Sequence, residues 1–145
     1  MMVTLRAITI VATLLVAPGT TAIAQSANYS SIEVSGTTPM QLSYHGSAHK
    51  NCTPAPLPTV RVIQAPTSGT LTVRRGILTT NKLANCPALK IPAQVVFYRA
   101  QAGYAGPDHV VYEVTDSNGE VTSYDVTIKV KEAQPPAEKP KGSKI

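Results

Sequence analysis

The alternation of apolar and polar residues predicts an all-β domain, an antiparallel β-sandwich of about seven strands. Several runs alternate with a period of two, as strands do when one of their faces is buried. Clusters of Gly, Pro, Asn and Ser separate these runs at the short intervals that are typical of sandwiches. No segment has the apolar period of an amphipathic helix. With one Phe and no Trp, the core must consist mainly of Val, Ile, Leu and Tyr.

Each expected strand is followed by a turn signal. The alternation is clear in residues 70–74, where Leu71 and Val73 face the core, and in residues 108–115 and 121–130. We expect the side chains of Val110, Tyr112 and Val114 in the first of these two runs, and of Tyr124, Val126, Ile128 and Val130 in the second, to face inward. Asn118-Gly119 before the last strand predicts a tight hairpin, because both residues tolerate positive φ. The expected strands are residues 31–34, 40–44, 59–64, 70–74, 93–99, 108–115 and 121–130. Two long connections, residues 47–58 and 75–92, interrupt the series, and the second has room for a short strand at residues 77–80.

The first 24 residues read as a secretory signal peptide. Arg6 precedes an apolar run at residues 7–17, and Ala22-Ile23-Ala24 has the small residues of a cleavage site, which makes Gln25 the expected mature N-terminus. The alternative is a membrane anchor, but a run of this length is shorter than the roughly 20 residues that cross a bilayer. We therefore expect export to the periplasm, the cell surface or the medium, with no transmembrane segment in the mature chain.

The mature chain divides into three parts by composition. Residues 25–30 are polar and are expected to be loose, and residues 31–131 hold the expected strands. Residues 132–145 are rich in Pro, Lys, Glu and Ala and have no apolar period, so we expect a disordered tail. One β domain of about 100 residues is large enough for a modest core.

The only two cysteines, Cys52 and Cys86, lie one in each long connection. In an exported protein an even pair most simply forms a disulfide. This bond would close a loop of about 35 residues and stabilise the fold by roughly 3–4 kcal/mol. A reactive or metal-bound thiol remains the alternative.

Residues 103–116 followed by Gly119 (G-Y-A-G-P-D-H-V-V-Y-E-V-T-D-x-x-G) resemble the closing strands of bacterial Ig-like, cadherin-like repeats, and residues 65–71 resemble their P-x-x-G-T-L hairpin. The resemblance covers about Thr59 to Val130 and implies an Ig-like sandwich used for adhesion, spacing or binding outside the cytoplasm. In this run we expect Gly103 and Gly106 to permit a tight corner. Asp108 is expected to accept backbone N–H bonds where its strand begins.

The sequence lacks the motifs of the common catalytic classes. It has no G-x-S-x-G nucleophile elbow and no Gly-rich phosphate loop, and its acids are scattered along outward faces and the tail. We therefore predict a protein that is not an enzyme and needs no cofactor. Basic residues interleaved with exposed aromatics are also missing, so nucleic acid is not an expected partner.

A metal-binding function is the main alternative. His45, His49 and Cys52 have the spacing H-x3-H-x2-C, which could gather zinc or copper if the loop folded back, with Met40 as a further possible ligand. Cys52 is expected in the disulfide, which leaves two nitrogens and favours solvated histidines. The run D-S-N-G-E at residues 116–120 superficially resembles a calcium loop, but a plain hairpin is favoured.

The chain carries 13 Lys and Arg against 8 Asp and Glu, a net charge of +5. The leading functional hypothesis is an exported, non-catalytic Ig-like domain that binds a protein or an anionic cell-envelope polymer, or serves as a structural accessory. The recognition surface would lie on the two long connections, because they exceed what the fold needs. Its candidate residues are Arg61, Arg74, Arg75, Lys82 and Lys90. A merely solvated basic face is the competing interpretation.

Overall fold

A computed structural model describes residues 25–133, which form seven strands joined by turns and loops. The predicted signal peptide and residues 134–145 of the predicted tail lie outside the described residues. No helix among residues 25–133 has the length and hydropathy that a membrane crossing needs. The strands are β1 (Ser26–Ser35), β2 (Met40–His45), β3 (Thr59–Gln64), β4 (Gly69–Thr80), β5 (Leu89–Ala100), β6 (Gly106–Thr115) and β7 (Val121–Lys131).

The strands form two sheets, which confirms the predicted all-β sandwich. The four-stranded sheet has the order β1-β7-β6-β3, and the three-stranded sheet has the order β2-β5-β4. The division of the last six strands between the sheets is that of an Ig-type sandwich. All pairs are antiparallel except β1 with β7, which run parallel through ten paired residues.

The prediction of a loose segment at residues 25–30 is wrong, because β1 begins at Ser26. Residues 26–31 are all exposed, so they offer no apolar alternation from which a strand could be predicted. Their pairing with β7 is held instead by backbone hydrogen bonds and polar side chains. Ser26 Oγ lies 3.1 Å from Thr122 Oγ1, and Gln25 Nε2 donates to Glu113 Oε1 at 2.7 Å.

The predicted long connection at residues 75–92 is much shorter than expected, because the short strand considered at residues 77–80 is the second part of β4. β4 continues to Thr80 and pairs with β5 over twelve residues without a register shift, which leaves only residues 81–88 as a loop. In β5 the buried residues have odd numbers up to Ala93 and even numbers from Val96 onward. The inward positions of β4 switch in the same way at the residues paired with this point, and we call this switch the phase change. This change breaks the alternation in the sequence although the pairing of the strands continues.

The core lies between the sheets and consists of Val, Ile, Ala and Tyr side chains from both. Its most deeply buried large side chains are Tyr98, Tyr112, Ile128, Val96 and Val110. The inward positions predicted for β6 and for the second half of β7 are confirmed. Tyr124, also expected to face inward, is partly buried at the edge of this cluster.

Asp108 is the one buried charged residue among residues 25–133, and it lies at the start of β6. Its carboxylate accepts hydrogen bonds from the backbone N–H groups of Thr67, Ser68 and His109 at 2.9–3.0 Å, and from Tyr98 OH at 2.8 Å. Burial alone would raise the pKa of Asp108, but these hydrogen bonds outweigh it and hold the pKa below its ordinary value. The expected role of Asp108 is confirmed, as is the positive φ of Gly103 and Gly106.

The two ends of the sandwich differ. The Asp108 end holds the β3–β4 and β5–β6 turns and the last residues of β1 and β7. The opposite end, called the disulfide end, holds the β2–β3 and β4–β5 loops, which the predicted bond between Cys52 and Cys86 joins with Cα atoms 5.5 Å apart. Among residues 25–133, the non-glycine residues with positive φ are Cys52, Asn85 and Ala88, and all three lie in these two loops. The two disulfide-linked loops therefore contain conformations that non-glycine residues seldom adopt.

Candidate functional site

The outer face of the three-stranded sheet carries a row of unpaired cations, which we call the basic face: Arg74, Arg75, Lys90 and Arg99. All four side chains are exposed. β2, β4 and β5 contain no Asp or Glu, and none of the four cations forms an ion pair with any of residues 25–133. The phase change explains why the adjacent Arg74 and Arg75 are both exposed.

The cations of the basic face are spread along the strands. Arg74 lies opposite Val95, four residues from Arg99, which separates the two Cα atoms by about 14 Å. Arg75 lies opposite Gln94, four residues from Lys90 in the other direction, at about the same spacing. The row from Arg99 to Lys90 therefore extends over about 30 Å.

Apolar side chains lie among these cations. Arg74 and Arg99 border a shallow depression of about 300 Å³ that also includes Phe97, Thr70 and Thr72. On the same sheet, Tyr44 and Ile77 are large side chains that remain substantially exposed. The basic face thus offers guanidinium groups beside apolar contact area, which suits an anionic partner with some apolar surface.

On the four-stranded sheet, by contrast with the basic face, charged side chains are paired with one another. All acids among residues 25–133 lie on its strands, in its β6–β7 turn or just after β7. Arg61 contacts Glu113 at 2.6 Å, His109 contacts Asp125 at 2.7 Å, and Glu33 pairs with Lys131. These cations lower the pKa of Glu113, through a hydrogen bond from Arg61, and of Glu33, through one from Lys131.

The structure divides the predicted recognition surface. Arg61 belongs to β3 of the four-stranded sheet and is paired, so its assignment to one surface with the others is wrong. Arg74, Arg75 and Lys90 lie on the basic face, and Lys82 lies in the β4–β5 loop. Arg99 was missed, although it follows Phe97 by two residues and so shares its outward phase.

A cleft of about 290 Å³ opens between the two sheets at the disulfide end. The three-stranded sheet contributes Tyr44, His45, Leu78, Thr80 and Ile91, and the four-stranded sheet with its turn contributes Val114, Asp116, Thr122 and Tyr124. Gly46, Ser47, Pro58, Lys82 and Leu83 from the two disulfide-linked loops complete the lining. Both of these loops, which the sequence pattern singled out, therefore contribute to the cleft.

His45 joins the cleft to the core through a chain of hydrogen bonds. Its Nε2 lies 2.8 Å from Ser43 Oγ, which lies 2.7 Å from Tyr112 OH on the other sheet. The His45 ring packs at 4.8 Å from the ring of Tyr124, which stacks on Tyr112. Burial lowers the pKa of His45, because its charged form would lose hydration. Ser43 is not among the cleft-lining residues, so it orients His45 and does not present a nucleophile there.

The residues of the predicted metal motif do not come together. His49 is exposed in the β2–β3 loop, where its backbone N–H donates to Thr53 at 2.8 Å, and Cys52 is in the disulfide. Within the described part of the chain, no group of three His, Cys, Asp or Glu side chains is placed to hold a metal ion. Asp116 caps the predicted hairpin turn by accepting the backbone N–H groups of Asn118 and Glu120.

Comparison with known proteins finds no matching family model, no similar curated protein and no similar solved structure. The resemblance to Ig-like, cadherin-like repeats therefore remains an expectation from the sequence. A functional assignment has to come from the geometry and charge of the chain itself.

Proposed function

We propose that the protein is an exported, non-catalytic β-sandwich domain that binds an anionic polymer of the cell envelope through the basic face. The observation that carries this proposal is the segregation of charge between the two sheets. Cations without partners concentrate on the three-stranded sheet, and the cations at Arg61 and Lys131 on the other sheet have internal counter-ions. Unpaired cations beside apolar groups are available to an external anion.

The length of the basic face favours a polymer over a single small anion. Cations spaced along about 30 Å cannot all contact one phosphate or carboxylate, but they can contact successive groups of a chain. The guanidinium groups of Arg74, Arg75 and Arg99 each have several N–H donors, which suit phosphate and carboxylate oxygens. Repetition of weak contacts would then supply the affinity that each contact lacks.

The proposed export to the cell envelope is supported by features other than the basic face. Residues 1–24 have the pattern of a signal peptide, and the disulfide between Cys52 and Cys86 suits an oxidising compartment. The resemblance to Ig-like, cadherin-like repeats adds that such sandwiches are used for binding outside the cytoplasm. These features support export and the envelope as the source of the polymer.

The test is the binding of residues 25–145 to a linear poly(glycerol phosphate) at two salt concentrations. The variant Arg74→Gln/Arg99→Gln is compared with Lys129→Gln/Lys131→Gln, which removes the same charge from the other sheet. We expect the first variant to bind about tenfold more weakly and the second to bind almost like the parent protein. Binding should also weaken strongly between about 0.05 and about 0.5 M salt.

Two outcomes would contradict the proposal. If both variants lose affinity equally, net charge and not the basic face governs binding. If the polymer does not bind, or binds equally well at both salt concentrations, the partner is not an anionic polymer held by these cations. A protein partner, the other prediction from the sequence, would then be sought with the same two variants.

A further inference from the structure

We propose that the cleft at the disulfide end binds a small carboxylate with an apolar body, and that His45 and Lys82 hold its carboxylate. This site lies at one end of the sandwich, between the sheets, and does not depend on the basic face. Its recognition chemistry follows from the direction of the hydrogen bonds that reach His45 from the core.

The hydrogen-bond chain has one consistent direction. Tyr112 is 1 % exposed, and burial raises the pKa of its phenol, so the hydroxyl keeps its proton. Ser43 Oγ is its one partner among residues 25–133, and no buried side-chain oxygen or nitrogen there lacks a partner. We assign the Tyr112 hydroxyl as the donor to Ser43, because its hydrogen would otherwise be buried unpaired. Ser43 then directs its own hydrogen to His45 Nε2.

This direction selects one tautomer of His45. A neutral imidazole that accepts at Nε2 carries its hydrogen on Nδ1. Nδ1 has no partner among residues 25–133 and, because no such buried atom is unpaired, it is accessible to solvent. His45 lines the cleft, and in the proposed site this N–H is its donor. The lowered pKa of His45 agrees with a neutral ring.

The remaining polar groups of the cleft favour an anionic acceptor. Lys82 is the cation of the lining. Its backbone N–H donates to Thr80 Oγ1 at 3.2 Å, which helps to position its backbone beside the cleft. Asp116 is the acid of the lining, and both of its oxygens are engaged within the turn: Oδ1 accepts two backbone N–H groups at 2.8 and 2.9 Å, and Oδ2 accepts from Asn118 Nδ2 at 3.4 Å. A ligand that brings oxygen acceptors therefore finds donors at His45 and Lys82.

The rest of the lining comes from both sheets and both loops and is largely apolar, apart from the hydroxyl-bearing residues Ser47, Thr80 and Thr122. Leu78 and Ile91 form one wall, Val114 faces from the other sheet, and Pro58 and Leu83 come from the loops. A volume of about 290 Å³ is at the lower limit of ligand pockets, so it suits a small molecule. The ligand class is thus a monocarboxylate with a compact aliphatic or aromatic body.

The test uses long-range ¹⁵N NMR of residues 25–145 with the disulfide intact, titrated with 3-phenylpropionate. In the free protein we expect the His45 proton on Nδ1. The carboxylate should shift that nitrogen saturably, and the matched amide, 3-phenylpropanamide, should bind more weakly. Lys82→Gln should weaken carboxylate binding about fivefold, and Lys90→Gln on the basic face should leave it unchanged.

Each contrary outcome overturns the proposal. A His45 proton on Nε2 would remove the donor from the cleft. Equal binding of acid and amide, or equal effects of Lys82→Gln and Lys90→Gln, would show that the carboxylate is not recognised there. No saturable shift up to about 20 mM would mean that the cleft does not hold this ligand class. Because Lys82 is exposed in a loop, loss of folding does not confuse the comparison.

Discussion

The two sheets contribute to the same core but use their outward charges in opposite ways. The four-stranded sheet and its turns hold all the acids of residues 25–133 except Glu132, which follows β7, and Asp108, Glu113, Asp125 and Glu33 each have partners. The three-stranded sheet holds no acid and leaves its cations unpaired. Inward residues therefore determine the sandwich, and the outward residues of one sheet are free to serve an external partner.

We expect the largest effect from a substitution that breaks the internal polar network of the four-stranded sheet. Asp108→Ala leaves the backbone N–H groups of Thr67 and Ser68 and the Tyr98 hydroxyl without their acceptor. An unsatisfied buried group costs about 1–3 kcal/mol, so we expect the free energy of unfolding to fall by about 4 kcal/mol in urea titrations. Asp125→Ala, on the outer side of the same sheet, should cost much less. Equal costs would mean that burial of the Asp108 network adds no stability.

The same carboxylate predicts a pH dependence. The folded pKa of Asp108 is lowered, so the unfolded state binds its proton first as the pH falls. Its contribution to stability is fully present above the unfolded pKa of about 3.9 and is lost as the pH falls through the lowered folded value. Asp108→Ala should therefore flatten the acid limb of the stability curve in this range.

A smaller effect concerns His45, where the two sheets meet. Its folded pKa is lowered, so the unfolded state takes up a proton near pH 6.5 that the folded state refuses. The free energy of unfolding should decrease as the pH falls from about 7 through 6.5, until the folded pKa is reached. His45→Gln should reduce this slope, and His49→Gln in the exposed loop should not. An unchanged slope in His45→Gln would contradict the burial of this ring.

The smallest expected effect compares a paired with an unpaired arginine. Arg61→Gln removes the contact with Glu113 and should lower the urea midpoint slightly, less so at high salt. Arg74→Gln removes the same charge from the basic face. It should leave the urea midpoint unchanged or raise it, because the substitution removes the repulsion between Arg74 and the neighbouring cations. If Arg74→Gln destabilises as much as Arg61→Gln, the basic face has counter-ions within the chain.

The sequence predicted the strands whose alternation reports burial, such as β6 and the second half of β7. It missed residues 26–30 of β1, where backbone pairing with β7 leaves every side chain exposed. It also divided β4 near Arg75, because a phase change shared by two paired strands looks like a break in a single strand. Periodicity reports which side chains are buried, and it does not report which backbones are paired.

The candidate sites were predicted in part for similar reasons. Basic residues near the long connections could be noted, but only the sheet order separates Arg61 from Arg74. Ser43 and His45 could be placed on one face of a strand from their spacing. Their contact with Tyr112 depends on how two sheets pack across 69 residues of sequence, which no local pattern encodes.

The parallel pairing of β1 with β7 also has a mechanical consequence. β1 begins at the disulfide end and β7 finishes at the Asp108 end, so the chain enters and leaves the sandwich at opposite ends. Tension applied through Gln25 and Ala133 would pull the two strands in opposite directions along their common axis. The load would fall in shear on the hydrogen bonds along ten paired residues together, and no pair could open before its neighbours. This geometry should make the domain resist tension applied between Gln25 and Ala133.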